Sequence, residues 1–166
     1  MAEHTVDEIP VAFTPAGGWH GRWPAPILES CSDPIVEGAP DLRGLWQTTE
    51  VIVDGQPQPG HPGLGHIQRV EQAGDRLVVT AAGIIHDMRC DCTESNGVHD
   101  VAEFDKTTEI HVVAAYEDGV HVLRPMGMPI EIKRWRDDKY MMWQYIGMTA
   151  RLTRLGPPEM TPPDTL

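Results

Sequence analysis

The segment from residue 84 to residue 100, IIHDMRCDCTESNGVHD, concentrates two histidines, two cysteines and several carboxylates. A metal site is one interpretation, because four potential ligands share a face if a strand runs through the segment: His86, Met88, Cys90 and Cys92. Same-face neighbours on a strand stand about 6.6 Å apart, which is too far for all four to bind one tetrahedral ion. Cys-x-Cys also lacks the Cys-x-x-Cys spacing of structural zinc sites. We therefore predict no metal, although His99 and His121 are further potential ligands.

Acid–base chemistry is a second interpretation of the same segment. His86 and Asp100 flank a hairpin whose tip is CDCTESNG, and both are predicted to point to the same side. A carboxylate beside an imidazole fixes its tautomer and raises its pKa towards neutrality, so these two are the candidate catalytic residues. Arg134 could bind a carboxylate or enolate and Tyr116 could polarise a carbonyl, which suits a cofactor-independent isomerase, cyclase or lyase. The third interpretation is structural: a buried His–Asp pair that satisfies its own polar groups.

The elements that would position these side chains are strands. No window between residues 41 and 155 has a sustained helical period, whereas period-2 alternation and turn residues recur at short intervals. The predicted strands are 45–53, 66–72, 76–81, 83–90, 98–104, 108–116, 120–125, 129–135, 139–146 and 148–155. The prediction is an all-β antiparallel meander closed into a barrel of about eight to ten strands, because closure removes the sheet edges.

Strand alternation assigns the side chains to the lumen or to solvent. His86, Asp100, Tyr116 and Arg134 are predicted to be the polar groups of an otherwise apolar interior. The candidate ligand-binding residues are Tyr116, Arg134, Met88, Phe104, Met142 and Trp143. Strand 139–146 is apolar on both faces, so its orientation stays open. The other histidines, including His66 and His121, are predicted to lie on the surface or in loops.

A short motif resembles the calycin superfamily of lipocalin-like barrels. Gly44-Leu45-Trp46 opens the first strand, and Arg151 and Arg154 lie in the last. The resemblance covers about residues 42–155. It implies a barrel whose floor is plugged by the indole of Trp46, with an arginine from the end of the barrel stacked on that ring.

The bulk properties bound the partners and the compartment. A net charge of −12 argues against nucleic acid and anionic membranes. The N-terminus lacks an apolar signal region, no apolar run approaches the ~20 residues of a membrane span, and the cysteine count of three is odd. A reducing cytoplasm is therefore predicted.

Proline and glycine divide the chain into three parts. Residues 1–40 form a Pro/Gly-rich arm packed on the barrel, 41–156 the barrel domain, and 157–166 a Pro-rich tail. Trp19 and Trp23 of the arm are predicted to close one mouth or to pair with a second subunit in a homodimer.

The predicted function is intracellular binding of a small hydrophobic or aromatic molecule in the barrel cavity, with no cofactor. The alternative is an enzyme that uses His86 and Asp100 in the same cavity. A haem-binding barrel of the nitrobindin type is a lesser alternative. That resemblance implies an axial histidine on a late strand, and no histidine follows His121. A non-catalytic interaction module is the remaining possibility.

Overall fold

A computed structural model describes residues 3–163 of the chain. These residues form eleven strands and no helix. In chain order the strands are β1 Gly44–Val53, β2 Gln56–Pro57, β3 Ile67–Ala73, β4 Arg76–Ala81, β5 Ile84–Arg89, β6 Val98–Val101, β7 Glu109–Glu117, β8 Val120–Pro125, β9 Ile132–Asp137, β10 Tyr140–Tyr145 and β11 Met148–Gly156. Within residues 3–163 no helix is long and apolar enough to cross a membrane.

All eleven strands belong to one antiparallel sheet. The order around it is β5-β4-β3-β1-β11-β10-β9-β8-β7-β6, and the short β2 pairs with β1. Every neighbouring pair in that order except β1–β3 and β1–β11 is adjacent in sequence, and the β1–β11 pairing joins the two ends of the meander. The prediction of an all-β antiparallel barrel is confirmed, and the architecture is compatible with a lipocalin-like fold. Two predicted strands differ from the structure at one end. The predicted strand 98–104 ends too late, since β6 ends at Val101, and the predicted strand 129–135 begins too early, since β9 begins at Ile132.

One seam interrupts the barrel, between β5 and β6. Side chains bridge it in place of a backbone ladder: His86 Nε2 lies 2.9 Å from the carbonyl oxygen of Val101. The N-terminal arm adds a second bridge, because Thr14 exchanges hydrogen bonds with the backbone of Ile85 on β5 while its own amide donates to Asp100 on β6. The polar groups at these sheet edges are thereby partly satisfied.

The arm covers the outer face of β3, β4 and β5. There Arg76 donates to both carboxylate oxygens of Asp87 and to three arm carbonyls, those of Val6, Ile9 and Pro10. Glu71 accepts the backbone N–H groups of Ile27 and Leu28. Between these anchors, arm residues pack on an apolar patch of the sheet formed by Ala73, Val78 and Ile85. This contact explains why polar and apolar outward residues of the three strands are both buried.

The floor of the barrel contains the motif that suggested the lipocalin-like resemblance. Trp46 is fully buried and its Nε1 donates to the carbonyl oxygen of Leu42. A Cβ at Gly44 would lie 2.8 Å from Arg154 Nε and 2.9 Å from Trp46 Nε1, so this position requires glycine. The resemblance predicted that an arginine of the last strand stacks on the Trp46 indole, and this prediction is wrong. The guanidinium over the ring belongs to Arg136 on β9, 5.4 Å from the ring centroid. Arg154 instead donates to the carbonyl oxygen of Arg43.

Candidate ligand site in the barrel interior

Arg134 is the central polar residue of the barrel interior. It lies on β9 and is 5% exposed, in agreement with the predicted inward orientation. Its Nε donates to Gln68 Oε1 at 3.1 Å, whereas its Nη1 is buried without a hydrogen-bond partner among the described residues. Within residues 3–163 no carboxylate oxygen lies within 4.0 Å of the guanidinium. Burial lowers the pKa of Arg134 to about 10, so the group still carries its charge at neutral pH.

Two residues on the neighbouring strands flank this guanidinium directly. His121 on β8 and Trp143 on β10 are both register partners of Arg134, so their side chains emerge on the same face. The guanidinium carbon lies 5.5 Å from the centroid of the Trp143 ring. His121 is 0% exposed, and burial holds its pKa well below the ordinary value, so the imidazole is neutral. Neither ring nitrogen of His121 has a partner within residues 3–163, and neither has Trp143 Nε1.

A further layer lies towards the end of the barrel where β3 begins. The imidazole of His66 stacks on Trp143, with ring centroids 5.6 Å apart and planes inclined by 19°. Its Nε2 lies 3.8 Å from Glu103 Oε1. Burial and the positive charge of Arg134 lower the pKa of His66 to about 4, and burial raises the pKa of the Glu103 carboxyl.

The polar atoms of this region that lack partners form one group. They are Thr48 Oγ1, His66 Nε2, Gln68 Nε2, both ring nitrogens of His121, Arg134 Nη1 and Trp143 Nε1. In native proteins a buried polar atom nearly always has a partner, and an isolated exception costs about 1–3 kcal/mol. Seven such atoms in this region indicate a place where polar atoms from outside the chain bind, whether of water or of a ligand.

Apolar side chains surround the polar group. The barrel core that encloses it includes Val79, Ala114, Leu123, Met141, Ala150 and Leu152. Towards the mouth, Tyr145 lies 4.9 Å from Trp143 between ring centroids. Tyr145 and Met148 also line an open pocket of about 490 Å³ at the β10–β11 turn. Small-molecule sites in proteins usually have this composition, with a few polar groups inside an apolar enclosure.

His86 and Asp100 face the same interior but are engaged at the seam. Their closest N–O distance is 3.9 Å, longer than a hydrogen bond. The carboxylate of Asp100 accepts the N–H groups of Thr14 at 2.9 Å and of Val101 at 2.7 Å. Burial lowers the pKa of His86, so the raised pKa expected from the sequence is wrong. The catalytic role of the pair stays a prediction.

The remaining candidate ligand-binding residues divide into three groups. Met88 is buried in the barrel core. The Tyr116 hydroxyl accepts a hydrogen bond from Gln72 Nε2 at 3.0 Å, near the floor. The inward assignment of Phe104 is wrong, because β6 ends before it and its side chain is 73% exposed. For strand 139–146, whose orientation the sequence left open, the register turns Trp143 inward and Met142 to the opposite face.

His121, His66 and Gln68 are the functional candidates that sequence reasoning missed. For His121 a signal exists: Asp118-Gly119 is a two-residue turn, which places residue 121 directly opposite Tyr116. Since Tyr116 was assigned inward, His121 had to face inward too. Gln68 carries no such signal, because both faces of β3 contain polar residues, those of one face being buried beneath the arm.

The cysteines form no metal centre with their neighbours. Within residues 3–163 no three His, Cys, Asp or Glu side chains are grouped in a way that could hold a metal ion. Cys90 is buried, which raises the pKa of its thiol to about 12, and Cys92 is exposed. All three cysteines are free.

Comparison of the chain with known protein families, curated proteins and solved structures finds no match.

Proposed function

We propose that the barrel binds a small hydrophobic or aromatic molecule in its interior, next to Arg134. The observation that supports this proposal is the group of unpartnered polar atoms around a buried, unpaired guanidinium. An apolar wall would hold the body of the molecule by the hydrophobic effect, and the polar group would fix its orientation.

Energetics favour a functional reason for this arrangement. A buried cation without a counter-ion reduces stability, since the interior does not replace the hydration that the charge loses. The same chain satisfies its other two buried arginines. Arg76 pairs with a carboxylate and three carbonyls, and Arg69 donates to the carbonyls of Pro24 and Pro158. An unpaired charge in a barrel that elsewhere satisfies such a group is typical of a site that is completed by a ligand.

Native mass spectrometry of the protein purified from its own host tests the proposal. We expect a retained molecule that is lost on denaturation, and absorption spectroscopy of the same sample distinguishes haem, the lesser candidate, from a colourless ligand. Gln68→Met removes one interior donor, and Gln47→Met is the matched change on the outward side of β1. Occupancy should fall several-fold in the Gln68 variant alone. Equal occupancy in both variants, or no binding of any small apolar molecule, would contradict interior binding.

The second candidate is proton transfer on the bound molecule by His86 and Asp100. Its support is that both side chains face the lumen across the seam, 3.9 Å apart. His86→Gln keeps a side chain that can bond to the Val101 carbonyl. If the site is catalytic, this variant should keep ligand affinity and lose conversion of the ligand that mass spectrometry identifies. A variant that binds and converts as the parent does would remove His86 from the mechanism.

A further inference from the structure

The unpartnered atoms around Arg134 are mainly hydrogen-bond donors. Arg134 Nη1, Gln68 Nε2 and Trp143 Nε1 can only donate. Neutral His121 offers one N–H and one acceptor nitrogen, and the Thr48 hydroxyl and His66 Nε2 can take either role. A ligand that satisfies the three obligate donors must therefore bring acceptor atoms.

The charge of the same region is compensated only in part, because no carboxylate of the described residues contacts the guanidinium. Glu103 is the carboxylate whose charge acts on Arg134, but no oxygen of Glu103 comes within 4.0 Å of the guanidinium. The Glu103 side chain is partly exposed and lies against His66. Since His66 and His121 both have lowered pKa values, Arg134 supplies the one positive charge of this group at neutral pH. A carboxylate in contact with the guanidinium would complete its charge-assisted hydrogen bonds, whereas a cation would be repelled by it.

We propose that the interior site selects an anionic ligand, a monocarboxylate on an apolar or aromatic body, with its oxygens bound by Arg134 Nη1, Gln68 Nε2 and Trp143 Nε1. This inference rests on the proposed function. A planar guanidinium matches the geometry of a carboxylate, and charge-assisted bonds of this kind are roughly twice as strong as neutral ones. The apolar body would extend along the side of Trp143 towards Tyr145 and Met148, which pack against the apolar core of the barrel.

Isothermal titration of matched carboxylates and amides tests the inference. The probes are benzoate, naphthalene-2-carboxylate and octanoate, each compared with its primary amide at pH 7.5. A primary amide has nearly the same shape but no charge, and its NH₂ group meets the donors of the site. We expect at least one carboxylate to bind about tenfold or more tightly than its amide, as charged hydrogen bonds of this kind allow.

Two variants connect this ratio to Arg134. Arg134→Met should bring the ratio to about one, and Arg134→Lys, which keeps the charge but loses the fork, should give an intermediate ratio. Arg124→Met is the matched control, since Arg124 is an exposed arginine on β8 paired with Glu117 and Glu131, and it should keep the parent ratio. If Arg134→Met does not fold, the parent ratio and the lysine variant decide.

The failures of the two proposals are distinguishable. Equal affinity of carboxylates and amides for the parent protein would overturn the anion inference and leave interior binding intact. No binding of any probe, together with no molecule retained from the host, would remove both. A high ratio that survives in Arg134→Met would place the carboxylate elsewhere and also overturn the inference.

Discussion

Two buried arginines of this barrel differ in their partners rather than in their burial. Arg76 is 2% exposed and has five hydrogen bonds, two of them to Asp87. Arg134 is 5% exposed and has one, to Gln68. Arg76 joins the arm to the barrel, so its charge contributes to the stability of the folded chain. Arg134 has no such structural partner, which is why we assign it to a ligand.

Replacing each arginine with methionine should separate these roles. Arg76→Met leaves Asp87 buried and unpaired and should lower the free energy of unfolding by about 3–5 kcal/mol. Arg134→Met removes an unpaired charge at the cost of one bond to Gln68, so the ligand-free protein should change by no more than about 1 kcal/mol. Urea denaturation of both variants measures this. Equal losses in the two variants would mean that Arg134 is structurally compensated.

At the scale of the strands, short turns account for most of what the sequence predicted. Two-residue turns such as Asp118-Gly119 and Ala82-Gly83 have positive φ at both positions, which fixes the hairpin registers on either side. Alternation along β7 then predicts which side chains face inward. The orientation of β10 could not be predicted, because both faces are apolar and only pairing with β9 and β11 selects Trp143.

The candidate site was predicted in part. Arg134 was identified because it lies on the inward face of a predicted strand, and His86 and Asp100 face the lumen as expected. Trp143 was a candidate because its predicted strand is apolar on both faces, without its orientation being predicted. Their engagement in the seam could not be predicted, since it depends on Thr14 of an arm with no regular structure. A buried polar atom lacks a hydrogen-bond partner only because of how all the surrounding strands pack. The sequence therefore does not reveal which atoms are left without one.

The β5–β6 seam should be the least protected part of the barrel wall. Side chains replace a continuous backbone ladder there, and the Ile85 amide donates to Thr14 Oγ1 at 2.9 Å. Thr14→Val removes that acceptor, so exchange of the Ile85 amide should accelerate by several-fold to about tenfold in native-state hydrogen exchange.

Thr49→Val on β1 is the matched control for this experiment. It removes a hydroxyl at an exposed position away from the seam and should leave the Ile85 amide unchanged. The amides at the seam could instead exchange as slowly as those of β1 and β11, both in the parent and in Thr14→Val. That result would mean that other contacts close the barrel.

For the whole molecule, the buried histidines predict loss of stability in acid. The pKa values of His66, His86 and His121 are all lowered by burial, that of His66 from 6.5 to about 4. Above pH 6.5 these imidazoles are neutral in both states. As the pH falls below 6.5 the unfolded chain takes up protons that the folded chain resists, so stability falls until the folded pKa is reached. The raised pKa values of Glu71 and Glu103 act in the opposite direction and reduce the slope.

Replacing His121 should reduce this acid sensitivity. Between about pH 6 and pH 4.5, His121→Gln should lower the slope of the unfolding free energy against pH by about 1.4 kcal/mol per pH unit, the effect of one proton. His20→Gln, at an exposed position of the arm, is the matched substitution and should keep the parent slope. Identical slopes in His121→Gln and the parent would show that the imidazole is not held neutral.

The indole N–H signals of the tryptophans report the central claim most directly. Trp46 and Trp19 donate to the carbonyls of Leu42 and Ile84, whereas Trp143 Nε1 has no partner within the described residues. Octanoate carries a carboxylate without an aromatic ring current, and Trp143→Phe identifies the peak. On titration with octanoate, the ¹H–¹⁵N signal of Trp143 should move to the position of a hydrogen-bonded indole while those of Trp46 and Trp19 stay in place. Binding of octanoate with the Trp143 signal unmoved would contradict a ligand site beside Arg134.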